Sequence, residues 1–368
     1  MVNIEMPVSA APERDDSYRP AGSHGVASGD VKLVMTLRTR DQADIVDALV
    51  AFHLNAGVDY VIATDHRSHD GTVEILEEYA RAGVLHLIRE HGEEVRGSEW
   101  RTRMARMAAT TYAADWTFSC DGDEFWWPRG ASLKDVFAAT PKDRGIVFAA
   151  VRNFVPVAGE ETDFWERMTL RFSPHAPVND PISPFRPYHP KVAHRADPTV
   201  VVHRGNHVLS ESRHLPVVGW YPIEVLHFPI RTVRQAKEKL VSWAQTLGAR
   251  ARGADIAAAR AMGSGDVNTS VASYLLDEAA IRRGLRAGVL VEDLRIRDAL
   301  RSLLAPLSEA RRFQLPGEDR RRVRLFEGGN HLSFERDLAS DYDASLLRLR
   351  RRVDDLARRM SMQTPGVP

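Results

Sequence analysis

Apolar and polar positions alternate between two rhythms along the first third of the chain. Val31-Lys-Leu-Val-Met-Thr36 is a short apolar run of strand type. Asp41 to Ala56 then repeats apolar residues at helical spacing (Ile45, Val46, Leu49, Val50, Phe52) up to Gly57, a stop of the kind that follows helices. Tyr60-Val-Ile-Ala-Thr64 predicts a second strand, Gly71 to Ala82 a second helix ended near Gly83, and Val84-Leu-His-Leu-Ile88 a third strand. A helix from about Ser98 to Ala114 leads into a fourth strand, Trp116-Thr-Phe-Ser-Cys120. Strands and helices in strict alternation with short connections predict a parallel sheet with right-handed crossovers. Ligands of such sheets bind at the carboxyl ends of the strands, so the loops after Thr36, Thr64 and Cys120 are the places to look.

Past Asp123 the rhythm changes. Ser132-Leu-Lys-Asp135 has the form of a capping box opening a short helix, and Gly145 to Val157 reads as a long strand. A region rich in Pro, His and aromatic residues follows through Pro229, with irregular strands expected to pair antiparallel. Thr232-Val-Arg-Gln235 caps a further helix to Leu247, and Ala249 to Asp266 is a Gly/Ala-rich loop. From Val271 the chain reads as helical and Arg-rich. Leu346, Leu349, Val353, Leu356 and Met360 form a stripe that suits core packing better than a coiled coil, because two heptads are marginal. There is no internal repeat.

Composition adds exclusions. The 368 residues carry 50 Lys+Arg against 50 Asp+Glu, and this balance argues against a surface that tracks nucleic acid. It leaves room for a small anionic ligand, which needs only a few charges or one metal ion. Only six of the 50 cations are Lys. The single cysteine, Cys120, excludes an intrachain disulfide and suits a reducing compartment; its place in a strand reads as a small buried hydrophobe. No apolar run approaches the ~20 residues of a membrane span, and residues 1–30 have no apolar core of a signal peptide and read as a disordered tail. A cytoplasmic location is expected, with association at the membrane periphery left open.

The chemistry concentrates in Cys120-Asp-Gly-Asp-Glu-Phe-Trp-Trp-Pro128. Asp121 and Asp123, one glycine apart at the end of an apolar strand, can jointly face a divalent cation, and oxygen ligands suit Mg²⁺ or Mn²⁺. Gly122 would let the backbone approach a phosphate. Asp341 and Asp343 repeat the spacing in a polar stretch without a strand and read as surface. The alternative role of Asp121 and Asp123 is turn formation. After the second strand comes Asp65-His-Arg-Ser-His-Asp-Gly71: Asp65 can bond a base or ribose at the sheet edge, whereas Asp70 serves equally as a helix cap or a ligand contact. Arg101 and Arg103 could meet phosphate or form a solvated helix face.

Together these residues resemble the family 2 glycosyltransferases and their relatives of GT-A fold. Phe52-His-Leu-Asn-Ala-Gly-Val-Asp-Tyr-Val-Ile62 is similar to the family's helix-to-strand passage. Asp65 to Thr72 is similar to its D-N-x-S-x-D-G-T loop, and Ala114-Asp-Trp116 with Asp121-Gly-Asp-Glu-Phe125 to its aDW…D-x-D-E-F run. The resemblance covers about residues 31–128 well and the rest loosely. It implies an α/β GT-A fold: a mixed, mainly parallel sheet flanked by helices, with a helical C-terminal extension. The implied units are a tail (1–30), a nucleotide-sugar-binding Rossmann-like half (31–128), an acceptor-side half (129–247), a flexible loop (248–270) and the extension (271–368). By the same resemblance Asp65 contacts the nucleoside, Thr36 and Arg38 line the nucleotide pocket, and Asp121 and Asp123 anchor a metal–diphosphate with Mn²⁺ or Mg²⁺. The family has Asn-Glu shortly after strand one where this chain has Arg40-Asp41, which leaves the nucleoside contacts of that loop open. His227-Phe-Pro-Ile-Arg-Thr232 is similar to a late segment whose His completes the metal shell, which favours His227 over His207.

The function so implied is transfer of a sugar from a nucleotide-diphosphate sugar, a UDP-sugar by resemblance, to an acceptor hydroxyl on a glycan, lipid or natural product, with inversion. A base is then required, and Glu124, Asp163, Asp180, Glu211 and Glu224 are all open candidates. Trp126, Trp127, Trp220 and His207 are candidates for the acceptor side, although aromatics of this kind are more often core. The C-terminal helices are an expected homodimer surface. A sugar-nucleotide hydrolase, a nucleotidyltransferase or a non-catalytic nucleotide-sugar binder could use the same sheet, and a scaffold built on the Arg-rich helices would survive loss of Asp121 and Asp123.

Overall fold

The computed structural model describes residues 31–129, 132–156, 162–174, 189–236, 275–305, 311–317 and 325–326. The expectations for the tail, the 248–270 loop, Asp180, the helix beyond residue 236 and the Leu346–Met360 stripe lie outside them.

The alternating first third folds as read. It comprises β1 (Leu33–Thr39), α1 (Val46–Asn55), β2 (Tyr60–His66), α2 (Thr72–Arg81), β3 (Leu85–Glu90), α3 (Gly97–Thr110) and β4 (Trp116–Asp121). There follow β5 (Glu124–Pro128), α4 (Leu133–Ala138), β6 (Arg144–Asn153), α5 (Phe164–Arg167), β7 (Leu170–Phe172) and β8 (Lys191–Arg195). Then come β9 (Val201–Val202), β10 (Leu209–Ser210), β11 (Leu215–Pro216), β12 (Ile223–His227), α6 (Glu278–Arg286), β13 (Leu290–Glu292) and α7 (Arg295–Leu303). The main sheet runs β3-β2-β1-β4-β8-β6-β12-β5, with β11 joined to β6. Its pairs are parallel except where β8 sits between β4 and β6 and where β5 flanks β12. This is the mixed, mainly parallel α/β architecture expected from the sequence. One consequence positions everything below: the carboxyl ends of β1, β2, β4, β6 and β12 share an edge with the amino ends of the reversed strands β5 and β8.

Two elements depart from the sequence reading. α1 starts at Val46 rather than Asp41, because residues 41–43 are spent on another contact. Their backbone N–H groups donate to Ser68 Oγ, Thr72 Oγ1 and Asp70 Oδ2, which stitches the loop after β1 to the loop after β2. The C-terminal region is also more than a helical annex. β13 pairs antiparallel with β7, and Ile296, Ala299, Leu300 and Leu303 of α7 join the main core. α1 lies within that core, with every residue from Val46 to Leu54 buried, which accounts for its apolar character on all faces. Cys120 is buried as expected, and burial pushes its thiol well above its usual value. Among the described residues no helix is long and apolar enough to cross a membrane.

Two core histidines make stability pH-dependent. In α1, His53 Nδ1 lies 2.8 Å from Leu49 O while Nε2 accepts from Trp126 N–H at 3.1 Å, and in β8 His194 Nδ1 lies 2.9 Å from Arg195 O. Burial lowers both to about 4. The unfolded chain protonates them near 6.5 and the folded chain only near 4, so the unfolded state binds more protons within that window. Stability therefore falls as pH drops from 6.5 to 4, by roughly 1.4 kcal/mol per pH unit per histidine. Asp47 and Glu124, raised by burial, act in the opposite sense. The His53 share is thus read from urea midpoints at pH 7 and 5 as the slope that His53→Gln removes. An unchanged slope in that variant would overturn the assignment.

Candidate active site

The shared edge collects charge. Register pairs Arg38 of β1 with Asp121 of β4, and Thr39 with Asp65 of β2; His227 of β12 faces Asn153 of β6 on one side and Glu124 of β5 on the other. Asp121 ends a strand whose preceding residues are buried, so its carboxylate emerges among the cations at the edge. Arg101, from α3, donates to Asp121 Oδ1, Lys191 at the head of β8 donates to Oδ2 at 3.1 Å, and Arg38 Nη2 stands 3.6 Å from Oδ1. Burial alone would raise the Asp121 carboxyl, yet Arg101, Lys191 and Arg38 hold it well below the usual range. Lys191 also pairs with Glu124 Oε1 at 2.6 Å, while Glu124 Oε2 accepts the Asp121 N–H at 3.2 Å. Burial alone would discharge Lys191, but Glu124 and Asp121 outweigh it and hold the ammonium above its usual value.

Beside this cluster lies a group able to hold a cation. Asp123, Glu124 and His227 each offer one ligand atom, all within 4.8 Å of one another. Within this group Asp123 Oδ1 and His227 Nε2 face each other 3.5 Å apart, while the Glu124 oxygens also meet Lys191 and the Asp121 N–H. Asn153 Oδ1 lies 2.7 Å from His227 Nδ1 and accepts its proton, which fixes the ring with Nε2 on the Asp123 side. Phe228 N–H donates to Asp123 O at 2.9 Å and fixes the β4–β5 turn against the end of β12.

The chain behind the site is clamped. Arg231, 1% exposed, donates through Nε and Nη2 to both Asp44 oxygens, through Nη2 to Gln42 Oε1 and through Nη1 to Phe228 O. The Gln42 side chain in turn fills the space over Gly122, where an added Cβ would come within 3.1 Å of its Cγ. Gln42 thus occupies the side of Gly122 that a side chain would take.

Other expected site residues fall as follows. Asp65 is buried, accepting from Thr39 Oγ1, Ser68 N and Ser68 Oγ, so its carboxylate orders the turn after β2. Asp70 stands one residue before the N-cap, Gly71, and accepts from Thr72 N and Oγ1 and from Ala43 N, which ties the start of α2 to the loop after β1. Thr36 does not line a pocket; it is fully buried within the sheet against Ser119 Oγ at 2.8 Å. Arg101 reaches the site, whereas Arg103 stays on the exposed helix face with Glu90. His207 is near Lys191, its Nδ1 3.0 Å from Pro190 O, and burial followed by Lys191 lowers it to about 4.

Several candidates are corrected. Trp126 and Trp127 belong to the core, Trp126 beside Phe118 at 4.4 Å and Trp127 stacked on Phe52, because β5, although the last strand of the sheet, is buried along its whole length. Trp220 precedes β12 and so packs against the core at the opposite end of that strand from His227. Glu224 is fully buried among Arg129, Arg152 and Arg295 and cannot serve a solvent-borne acceptor. Asp163 is bound by Arg312 beside α5, and Glu211 lies in the loop after β10 with φ +56°. Of the described candidate bases only Glu124 is at the charged edge. Lys191, Asn153 and Gln42 were not singled out from the sequence, and Arg231 entered only as part of the His227–Thr232 run.

No protein-family model matches the chain, and no curated protein matches it by sequence. Solved structures do match by shape. S. aureus TarS in complex with UDP-GlcNAc is 11% identical over 62% of this chain and 69% of that chain, with a TM-score of 0.33. The match spans 43% of a longer TarS chain. The mannosyltransferase PcManGT from Pyrobaculum calidifontis, in complex with GDP-Man and Mn²⁺, is 15% identical over 74% of this chain and 80% of that one, TM-score 0.29. Glucosyl-3-phosphoglycerate synthase from Mycobacterium tuberculosis, with Mn²⁺, UDP and glucosyl-3-phosphoglycerate, is 15% identical over 49% and 63%, TM-score 0.25. At these identities and scores the likeness carries no weight below, where the function rests on this chain's own residues.

Proposed function

We propose that this chain is a GT-A-type glycosyltransferase that moves a sugar from a nucleotide-diphosphate sugar to an acceptor hydroxyl, with inversion, using a divalent cation held by Asp123 and His227. The observation that carries this reading is the facing of Asp123 Oδ1 and His227 Nε2 at the carboxyl edge of a mainly parallel sheet. The donor set fits the cation: a carboxylate oxygen and an oriented imidazole nitrogen suit Mn²⁺, and so small a protein share leaves positions for diphosphate oxygens and water. When bound, the cation supplies Lewis-acid neutralisation of the departing diphosphate. Asn153 holds the proton at His227 Nδ1, Arg101 holds Asp121 ionised toward Arg38, and the Asp65–Thr72 turn braces the loop that follows β1. In this reading Asp121 is a counter-ion of the protein's cations, Glu124 anchors Lys191, and a nucleoside lies over the ends of β1 and β2.

The test is incubation with a panel of UDP-, GDP- and dTDP-sugars, with Mn²⁺ or with EDTA, measuring released nucleoside diphosphate. Slow Mn²⁺-dependent release from one donor class, accelerated by an acceptor hydroxyl, is expected. Release that no acceptor accelerates would favour hydrolysis, and absence of donor binding with Mn²⁺ would overturn the proposal.

A further inference from the structure

Three cations, Arg38, Arg101 and Lys191, stand among the carboxylates of the edge. Arg38, Arg101 and Lys191 meet Asp121, Lys191 also meets Glu124, and Asp123 lies within the electrostatic reach of Arg38, so three charges of each sign sit together. A bare cluster of three carboxylates would repel an anionic ligand until a metal arrived. Here the protein has already cancelled that field. Arg101 is committed to Asp121 and to Gly97 O. Lys191 and Arg38 are not exhausted. An ammonium has three donors, and Lys191 gives two to Asp121 Oδ2 and Glu124 Oε1. Arg38 Nε is buried with no hydrogen-bond partner, while the Arg38 side chain is 31% exposed and its Nη2 is 3.6 Å from Asp121. Underused donors on the two sides of one carboxylate, at the carboxyl edge of the sheet, are the makings of an anion subsite.

We propose that Lys191 and Arg38 form a built-in cationic subsite for a diphosphate beside the Asp123–His227 pair, so that the chain binds diphosphate without a metal. This deepens the proposed function, on which it rests for the identity of the ligand. Lys191 Nζ stands between Asp121 and Glu124, where a bridging cation would otherwise stand, and Asp121 holds Lys191 and Arg38 in register. The diphosphate then meets protein charge on one flank and the Asp123–His227 flank on the other. Lys191 has opposite effects on the two ligands of the site: it attracts the diphosphate and repels a metal cation.

That opposition makes the test selective. Inorganic pyrophosphate and UDP are titrated calorimetrically in EDTA, and Mn²⁺ alone is titrated by electron paramagnetic resonance. Lys191→Met is expected to weaken metal-free pyrophosphate binding about 10- to 100-fold, the range for a lost charge-assisted hydrogen bond. Its affinity for Mn²⁺ alone should be unchanged or higher, and Lys191→Arg should retain pyrophosphate. Because Lys191→Met leaves buried carboxylates uncompensated, Lys191→Met/Glu124→Gln provides a charge-balanced variant. It should melt near wild type and still lack the metal-free binding. Pyrophosphate that fails to bind wild type in EDTA, or a balanced variant that binds like wild type, overturns the subsite. UDP bound only with Mn²⁺ rejects the subsite and leaves the transferase reading standing. Lys191-dependent pyrophosphate binding with no nucleotide-sugar turnover does the reverse.

Discussion

Asp123→Ala is expected to lower metal-dependent sugar transfer by at least about 10³-fold, since a bound cation contributes several kcal/mol to stabilising leaving-group charge and each 1.4 kcal/mol is tenfold in rate. The substitution removes one of the two facing ligand atoms and leaves His227 with Glu124 alone in the cluster. Phe228 N–H bonds the backbone oxygen of Asp123, so that contact, and with it the turn, survives the change. The loss should therefore appear in Mn²⁺ binding and not in the melting temperature. His227→Ala should act in the same direction. Asp121→Asn is the informative contrast. It discharges the partner of Arg101, Lys191 and Arg38, so it should cost stability and leave Mn²⁺ binding closer to wild type. Equal loss of Mn²⁺ in Asp121→Asn and Asp123→Ala would return the cation to the Asp121–Asp123 pair and overturn the assignment to Asp123 and His227.

That contrast marks how far the sequence could be read. The strands β1 to β4 and their helices were legible because each is a local apolar run with its own stop: Gly57 has φ +104° and Gly83 φ +77°, as helix-terminating glycines should. Asp121, Asp123 and His227 were visible as residue types at a strand end or in a His-rich segment. Their division of labour was not. Whether Asp121 faces a metal or an ammonium depends on β8 running antiparallel between β4 and β6, pairings across 75–79 and 42–48 residues that leave no local pattern. β5 was missed because Phe125-Trp-Trp-Pro128 follows the acidic turn without a breaker, and its partner β12 is about a hundred residues away. The same long-range pairing buried Trp126 and Trp127, which reads as exposed aromatic chemistry only while the partner strand is unknown. Lys191 had one faint signal: only six lysines occur in the chain, and this one stands directly before an apolar Val-Ala pair.

Glu224→Ala is expected to destabilise the protein by about 3–5 kcal/mol, the cost of removing one partner from a buried ion pair. Glu224 is fully buried and accepts from Arg152 Nε at 2.7 Å, Arg129 Nη2 at 3.2 Å and Arg295 Nη1 at 2.6 Å. Arg295 passes on to Asp293, which pairs with Arg171 at 2.6 Å, so two carboxylates hold four guanidiniums and tie β6, β7 and β12 to the start of α7. Without Glu224, Asp293 alone remains among the four. Burial would raise the Glu224 carboxyl, but Arg295, Arg152 and Arg129 keep it well below the usual range. A depressed folded value means that its stabilisation is complete above the unfolded value near 4.5 and lost only as pH falls through the lower folded one. The network thus persists through the window in which His53 and His194 weaken the fold. Urea unfolding at pH 7 measures the predicted loss, and limited proteolysis between residues 275 and 305 shows whether α7 comes away first. Arg295→Ala separates two causes. If uncompensated charge dominates, removing one of four cations costs clearly less than removing Glu224, because Glu224 keeps two arginines. Equal costs would mean that the docking of α7, through Arg295 over the Trp127 ring at 5.3 Å, matters more than the charge it neutralises.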